Sequence, residues 1–211
     1  MNTNPVWPSL RRSLVAIIRG IRNEEVEPIL AVLVEEGFEV IEIPLNSPQP
    51  WVSIGQAVKL FGDRVLIGAG TVLAVDDVAR LADLGGRIMV SPNTDPEVIG
   101  AAAARGLYSM PGCYTATEAL LALKSGASAL KFFPAGALGP SGIAAIKTVL
   151  PAGAVVGAVG GVSDTSFADY ARVGVRTFGL GTSLYRPGDT VETVRENARR
   201  TIAAYDRVFQ G

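Results

Sequence analysis

Eight short apolar runs, each separated from the next by a longer helical stretch, constrain the fold of this chain more than any other feature. The runs predict strands over 15–19, 40–44, 66–70, 88–92, 108–112, 129–133, 155–159 and 177–181. The stretches between them carry apolar residues at helical spacing, for example Val26, Ile29, Leu30 and Leu33. Such an alternation in a chain of 211 residues leaves two architectures, a closed (β/α)₈ barrel or an open doubly wound sheet.

Two regularities favour the barrel. The repeat stays at roughly 22–25 residues, without the long insertion that would mark a switch in strand order. Glycine, the usual residue after a helix end, recurs just before the strands at Gly37, Gly85, Gly106, Gly126 and Gly174. We therefore predict one domain over residues 1–211, of class α/β and folded as a TIM barrel. Residues 1–14 are expected to add a short N-terminal helix, and 190–209 to form the last barrel helix.

The composition limits the partners and the location. Hydrophobic residues make up 48% and charged residues 18%, which suits a parallel sheet buried on both faces. The net charge of -1 and the scattered Lys and Arg residues argue against nucleic-acid binding. No apolar run reaches the ~20 residues of a membrane span, and the N-terminus lacks the order of a signal peptide. We expect a cytoplasmic protein that acts on a small molecule.

The chain has no histidine and one cysteine, Cys113. Ser-His and Cys-His nucleophile systems are thereby excluded, and zinc, which is normally bound by these two residue types, is disfavoured. Acid–base chemistry must fall to Asp, Glu, Lys, Tyr or a substrate phosphate. A single cysteine also excludes an internal disulfide, and Cys113 is interpreted as a small buried residue rather than a reactive thiol.

Lys131 is the most informative residue, because it lies inside the apolar run Ala-Leu-Lys-Phe-Phe. Burial disfavours the ammonium, so the pKa of this lysine should fall and the neutral amine should become available. A neutral amine is what an attack on a carbonyl carbon requires. The alternative is a structural lysine paired with a carboxylate.

Glu42 is the natural companion of Lys131. Strand alternation places it on the barrel side if Ile41 and Ile43 face the helices. An inward glutamate near an inward lysine forms either an ion pair or the proton carrier of Schiff-base chemistry. We favour the second role if Lys131 is catalytic.

Two glycine-rich loops follow the seventh and eighth predicted strands. The first contains Gly160 and Gly161, and the second contains Gly181 and Thr182. Glycines let backbone N–H groups approach an anion, and a helix that follows would add its dipole. These two loops are the commonest phosphate position in barrels, although each alone could be only a tight turn.

Several motifs, in order along nearly the whole chain, carry a family resemblance. They are Ile-Glu-Ile-Pro-Leu-Asn-Ser-Pro (41–48), Ile-Gly-Ala-Gly-Thr-Val-Leu (67–73), Val-Ser-Pro-Asn (90–93), Met-Pro-Gly-Cys (110–113), Leu-Lys-Phe-Phe-Pro-Ala (130–135) and Ala-Val-Gly-Gly-Val (158–162). The sequence resembles the aldolases of 2-dehydro-3-deoxy-6-phospho sugar acids. That resemblance implies a class I aldolase, which is a lyase, built as a homotrimer of (β/α)₈ barrels without metal or other cofactor.

The resemblance also implies roles for particular residues. Lys131 matches the Schiff-base lysine and Glu42 the general acid/base. Thr71, with Arg19, matches the substrate contacts and lies near the pyruvyl carboxylate. The remaining matches are the phosphate site at Gly160, Gly161, Gly181 and Thr182, and the pyruvyl pocket at Pro92 and Phe133.

Asn46 separates two branches of this family. The gluconate branch carries Arg at this position, whereas Leu-Asn-Ser-Pro follows the galactonate branch. The reaction implied is reversible cleavage of 2-dehydro-3-deoxy-6-phospho-D-galactonate to pyruvate and D-glyceraldehyde 3-phosphate. The alternatives are the gluconate epimer as substrate, a sugar-phosphate epimerase or isomerase, and a non-catalytic sugar-phosphate-binding barrel.

Overall fold

The structure of the chain, a computed structural model, describes residues 5–210 and contains nine parallel strand segments in one sheet. The strands are β1 Leu14–Ile17, β2 Val40–Pro44, β3 Leu66–Gly70, β4 Ile88–Val90, β5 Tyr108–Met110, β6 Gly112–Cys113, β7 Leu130–Phe132, β8 Val156–Val159 and β9 Thr177–Leu180. The helices are α1 Val26–Glu36, α2 Pro50–Phe61, α3 Val75–Asp83, α4 Pro96–Ala104, α5 Ala116–Lys124, α6 Ala135–Lys147, α7 Phe167–Arg172 and α8 Val191–Phe209. Each predicted apolar run overlaps a strand of the structure, so the prediction of eight strands alternating with helices is confirmed.

The sheet closes through the fifth predicted strand, which is split by Pro111 into β5 and β6. Proline has no N–H to donate and interrupts the ladder at this point. The first half, β5, pairs with β4, and the second half, β6, pairs with β7, so the two ends of the sheet meet in one stretch of chain. The backbone N–H of Lys131 donates to the carbonyl of Pro111 at 2.9 Å across this junction. The predicted (β/α)₈ barrel is therefore confirmed.

Strand alternation divides the buried side chains into two layers. Ile41 and Ile43 of β2 belong to the core between the barrel and its helices. The intervening positions face the interior of the barrel, where an apolar cluster fills the N-terminal half with residues that include Val15, Val40, Leu66, Ile88 and Met110. The C-terminal half of the interior is thereby left for the polar residues of β2 and β7.

The recurring glycines end the helices as the sequence predicts. Gly37, after α1, adopts a left-handed conformation with φ +102°, and its N–H donates back to Val34 at 3.2 Å. Glycine reaches this conformation without the steric penalty of a Cβ. The last predicted helix is also confirmed, as α8.

The prediction of a helix over residues 1–14 is wrong for the part that the structure describes, because the chain from Pro5 to Ser13 forms no helix. Its first four residues lie outside the described range. Pro5 and Pro8 disfavour helical conformation in the residues before them and cannot donate a helical hydrogen bond. The segment instead buries Trp7 against the apolar cluster at the N-terminal end of the barrel.

Candidate active site

A cavity of about 390 Å³ opens at the C-terminal end of the barrel. It is lined by seven residues that the sequence predicts for the site, namely Arg19, Lys131, Phe133, Gly160, Gly161, Gly181 and Thr182, and by Ile17, Val159, Val162 and Gly179. These residues come from β1, β7, β8 and β9 or from the loops that follow them. This is the end of a barrel at which functional groups gather.

Lys131 reaches the cavity from the middle of β7. It pairs in register with Gly112 on one side and Gly157 on the other, so neither register partner has a side chain that could crowd its stem. The side chain is 5% exposed, and Nζ lies 4.8 Å from the centre of the Phe133 ring. The amine therefore opens towards the cavity while its stem is buried.

Glu42 also faces the barrel interior, as the alternation of β2 predicts, and only 2% of it is exposed. It does not line the cavity wall itself. Its Oε2 atom is buried and has no hydrogen-bond partner among the residues that the structure describes. A buried oxygen without a partner is rare in folded proteins, and such atoms often serve catalysis or bind water or ligand.

Burial sets the protonation of both groups. Desolvation raises the pKa of Glu42 to about 7, although the positive charges of Lys131 and Arg19 pull it down. Desolvation lowers the pKa of Lys131, and Arg19 lowers it further, while the negative charge of Glu42 acts in the opposite direction. Near neutral pH Glu42 can therefore exchange a proton with a substrate at a small free-energy cost.

Arg19 is held at the rim by the loop after β2. Its guanidinium donates a hydrogen bond to Oδ1 of Asn46. The next residue of each loop makes a second contact, since the N–H of Gly20 donates to Oγ of Ser47 at 2.9 Å. The sequence predicts Asn46 as a substrate contact. In the structure Asn46 does not line the cavity, and its side chain instead accepts the hydrogen bond from Arg19.

Thr71 and Pro92 follow β3 and β4 at the same end of the barrel, outside the lining of the cavity. Thr71 has a positive φ of +57°, which is uncommon for a β-branched residue. Strained backbone of this kind concentrates at functional sites, where the surrounding fold holds it in place. A Cβ at Gly112 would overlap the carbonyl of Pro92, so the loop after β4 approaches β6 closely here.

The glycine loops offer hydrogen-bond donors to the cavity. Gly160 and Gly161 have φ values of +81° and +75°, a backbone shape that other residues rarely adopt. Between residues 5 and 210, the N–H groups of Gly160, Gly161, Gly181 and Thr182 donate to no backbone carbonyl. A helix follows each loop, several residues further along the chain, since α7 begins at Phe167 and α8 at Val191.

Comparison with known proteins agrees with this geometry. The family described as KDPG and KHG aldolase matches residues 9–197. The chain belongs to this family. It is therefore an aldolase, and aldolases are lyases.

Individual members of the aldolase family match over nearly their whole length. A probable 2-dehydro-3-deoxy-6-phosphogalactonate aldolase from Rhizobium meliloti (strain 1021) is 57% identical, over 97% of this chain and 96% of that protein. The 2-dehydro-3-deoxy-6-phosphogalactonate aldolase of Escherichia coli (strain K12) is 45% identical, over 93% of this chain and 96% of that protein. A solved structure described as native KDPGal superposes with a TM-score of 0.95 at 44% identity, and the match covers 98% of this chain and all of that one.

Sequence reasoning about this aldolase missed part of its site. Ile17, Val159 and Gly179 line the cavity, and each stands two residues before a polar or glycine position at a strand end. The alternation that places Lys131 inward could have identified all three. No local sequence pattern predicts the role of Ser47, because its hydrogen bond with Gly20 depends on how two loops meet.

Three further observations concern residues outside the cavity. Cys113 is buried, and desolvation raises the pKa of its thiol to about 12, as expected of an unreactive packing residue. Across residues 5–210, no cluster of three or more acidic or cysteine side chains is arranged to hold a metal ion. None of the helices described in that range is long and apolar enough to cross a membrane.

Proposed function

We propose that this aldolase reversibly cleaves 2-dehydro-3-deoxy-6-phospho-D-galactonate to pyruvate and D-glyceraldehyde 3-phosphate through a Schiff base on Lys131. The observation that carries the proposal is the position of Lys131. Its amine opens into a cavity that is also lined by the glycine loops after β8 and β9, whose N–H groups donate to no backbone carbonyl. One end of the cavity suits a carbonyl and the other end a phosphate.

In this mechanism the neutral amine of Lys131 attacks the C2 ketone of the substrate. Loss of water from the carbinolamine gives an iminium ion, which accepts the electrons of the C3–C4 bond when that bond breaks. Glu42 takes the proton of the C4 hydroxyl, and glyceraldehyde 3-phosphate leaves. The protonated Glu42 then returns its proton to C3 of the enamine, and hydrolysis releases pyruvate and the free lysine.

A carboxyl group with a pKa of about 7 suits this use, because it is both a competent base and a competent acid at neutral pH. One group can then serve several proton transfers in turn. The absence of histidine from the chain favours such repeated use.

The other site residues bind and orient the substrate in this proposal. The N–H groups of Gly160, Gly161, Gly181 and Thr182 hold the phosphate. Arg19, with the hydroxyl of Thr71, binds the carboxylate of the pyruvyl half, while Pro92 and Phe133 line its apolar side. No metal or other cofactor takes part.

The galactonate epimer is proposed as the preferred substrate because of Asn46 and its contact with Arg19. The arginine of the gluconate branch could not accept a hydrogen bond from Arg19 and would repel it. An arginine at position 46 of this chain would therefore displace Arg19 from its place at the rim. The gluconate epimer remains the second candidate, since the two substrates differ at one hydroxyl.

Cleavage kinetics with both epimers test the function directly. We expect a higher kcat/KM for the galactonate epimer, measured by coupling pyruvate to lactate dehydrogenase. Asn46→Arg should lower that preference, and Asn46→Asp, which keeps an acceptor for Arg19, should retain it. A preference for the gluconate epimer would assign the chain to the other branch, and cleavage of neither would remove the proposal.

We further propose that the enzyme works in the cytoplasm as a homotrimer. Its proposed substrate is a phosphorylated metabolite, a kind of compound that cells retain inside the membrane. Large apolar side chains are exposed on the outer surface, including Val52, Leu73 and Val149, and a subunit interface would cover some of them. Sedimentation equilibrium at several protein concentrations gives the mass of the assembly, and a monomeric mass would refute the trimer.

A further inference from the structure

We propose that Gly70 is a positioning residue for Glu42, because the space left by its missing side chain is the seat of the catalytic carboxylate. This inference rests on the proposed function, in which Glu42 carries the protons. It adds that the space at Gly70, on the neighbouring strand β3, sterically determines where the carboxylate of Glu42 lies. Gly70 itself is assigned no chemistry.

The pairing of β2 with β3 places Gly70 two residues further along its strand than the register partner of Glu42. Glu42 lies opposite Gly68 in register, and Pro44 lies opposite Gly70. Both glycines face the interior, because the alternating residues Ile67 and Ala69 face the helices. The carboxylate of Glu42 therefore leans along the strand direction, towards the open end of the barrel.

The carboxylate occupies the volume that a side chain at position 70 would fill. A Cβ built on Gly70 would lie 2.5 Å from Oε1 of Glu42 and still closer to Cδ and Oε2. All three of its nearest neighbours belong to that carboxylate. Gly68 differs, because a Cβ there would overlap the backbone and side chain of Ile88. Of the two interior glycines of β3, Gly70 is the one that makes room for the carboxylate.

Steric contact is important for this carboxylate because Oε2 has no hydrogen-bond partner within residues 5–210. Without such a bond at Oε2, the backbone of β3 at Gly70 limits where the carboxylate can lie. A methyl group at this position would push the carboxylate away. Displacement of a reacting group by about 1 Å can reduce a rate by ~10²-fold.

The substitution Gly70→Ala isolates this effect. Gly70 does not have a positive φ, so alanine fits the backbone, and the added methyl is the only change. We expect kcat for cleavage to fall on the order of 10²-fold. The exchange of pyruvate methyl protons with solvent should fall in parallel. Borohydride trapping of pyruvate on Lys131 should still reach completion at saturating pyruvate, because the amine is unaffected. Gly100→Ala is the matched control, since a Cβ there meets nothing within 4 Å.

A second substitution, Glu42→Asp, tests whether the methyl acts through the carboxylate. Aspartate is one methylene shorter and withdraws its carboxylate from the seat, so this variant alone should also be slow. In that background, Gly70→Ala should change kcat by less than ~3-fold, because the methyl enters space already vacated. Two full, independent losses of rate would overturn the proposal.

The same two substitutions also test the proposal if Gly70→Ala alone destabilises the protein. If Gly70→Ala alone lowers the melting temperature sharply, adding Glu42→Asp should restore it, because the overlap is with the carboxylate. A double variant as unstable as the single one would mean that the methyl overlaps something else, and would refute the seat. Failure of the proposed function looks different, since the wild-type protein itself would then trap no pyruvate.

Discussion

The two ends of the barrel differ in whether their buried polar groups have partners. At the N-terminal end, Nε1 of Trp7 donates to Oγ of Ser13 at 3.3 Å, and that hydroxyl lies 2.8 Å from Oγ1 of Thr177. Arg12 donates two hydrogen bonds of 2.6 Å to the carboxylate of Asp206. The polar groups that close this end are thus bound to one another.

At the C-terminal end, several polar groups lack partners within residues 5–210. Oε2 of Glu42 accepts no hydrogen bond, and the N–H groups of Gly160 and Gly161 donate to no backbone carbonyl. A stable fold normally satisfies such groups. Unsatisfied groups at one end of a barrel that is satisfied at the other indicate where a ligand supplies the missing partners. We infer that one end contributes mainly stability and the other chemistry, and each prediction below tests this division.

The largest effect is expected from Lys131→Met. This variant should lose all detectable cleavage and all borohydride-dependent addition of pyruvate, because the nucleophile is gone. Lys147→Met is the matched control, since Lys147 binds the carbonyls of Val173 and Gly174 outside the cavity. That control should keep full labelling of the peptide that contains Lys131, as measured by mass spectrometry. Labelling that persists in Lys131→Met would remove the Schiff-base assignment.

Glu42→Gln is expected to lower kcat by at least roughly 10²-fold, the usual contribution of a positioned general acid/base. The exchange of pyruvate methyl protons, followed by NMR, should fall with it. In the wild type this exchange should rise as pH increases through about 7, because the raised pKa of Glu42 keeps the base protonated below that pH. If Glu42 only neutralises Lys131, the variant should recover its rate at high pH, and near-normal exchange would leave it a structural partner.

Arg12→Ala should affect stability and spare activity. Removing Arg12 should cost about 2 kcal/mol of unfolding free energy, because two charge-assisted hydrogen bonds are lost while Asp206, whose side chain is 32% exposed, stays partly solvated. The same truncation at Arg172, whose pair with Asp169 is largely exposed, should change stability by less than ~0.5 kcal/mol. Urea unfolding and kcat, measured together, make the comparison, and a large loss of kcat in Arg12→Ala would contradict the division between the ends.

The same pair gives a pH dependence. The hydrogen bonds from Arg12 lower the pKa of Asp206, so their contribution to stability is present above the ordinary pKa of aspartate. It is lost as pH falls through the lowered value. The difference in unfolding free energy between the wild type and Arg12→Ala should therefore shrink below about pH 4.

The smallest effect is expected from chelation. Prolonged treatment with EDTA should leave kcat and KM unchanged, because the proposed chemistry uses only Lys131 and Glu42. Dialysed enzyme, assayed with and without added divalent ions, provides the comparison. Loss of activity that a divalent ion restores would mean that the C-terminal end holds a metal that the proposed mechanism omits.

Much of the fold and the central pair of the site follow from the sequence by itself. Apolar runs with glycine terminators give the strands, the helix ends and the barrel. Alternation along single strands turns Lys131 and Glu42 inward and Ile41 and Ile43 outward. These features are local, because each depends on the spacing of residues within one strand or helix.

Other features were decided by the tertiary structure. They are the contact of Asn46 with Arg19, the seat of the Glu42 carboxylate at Gly70, and the closure of the sheet across Pro111. Each depends on the stagger between neighbouring strands or on where two loops meet. The pattern within a single strand does not encode that stagger, which is fixed only when all eight strands close together around one interior.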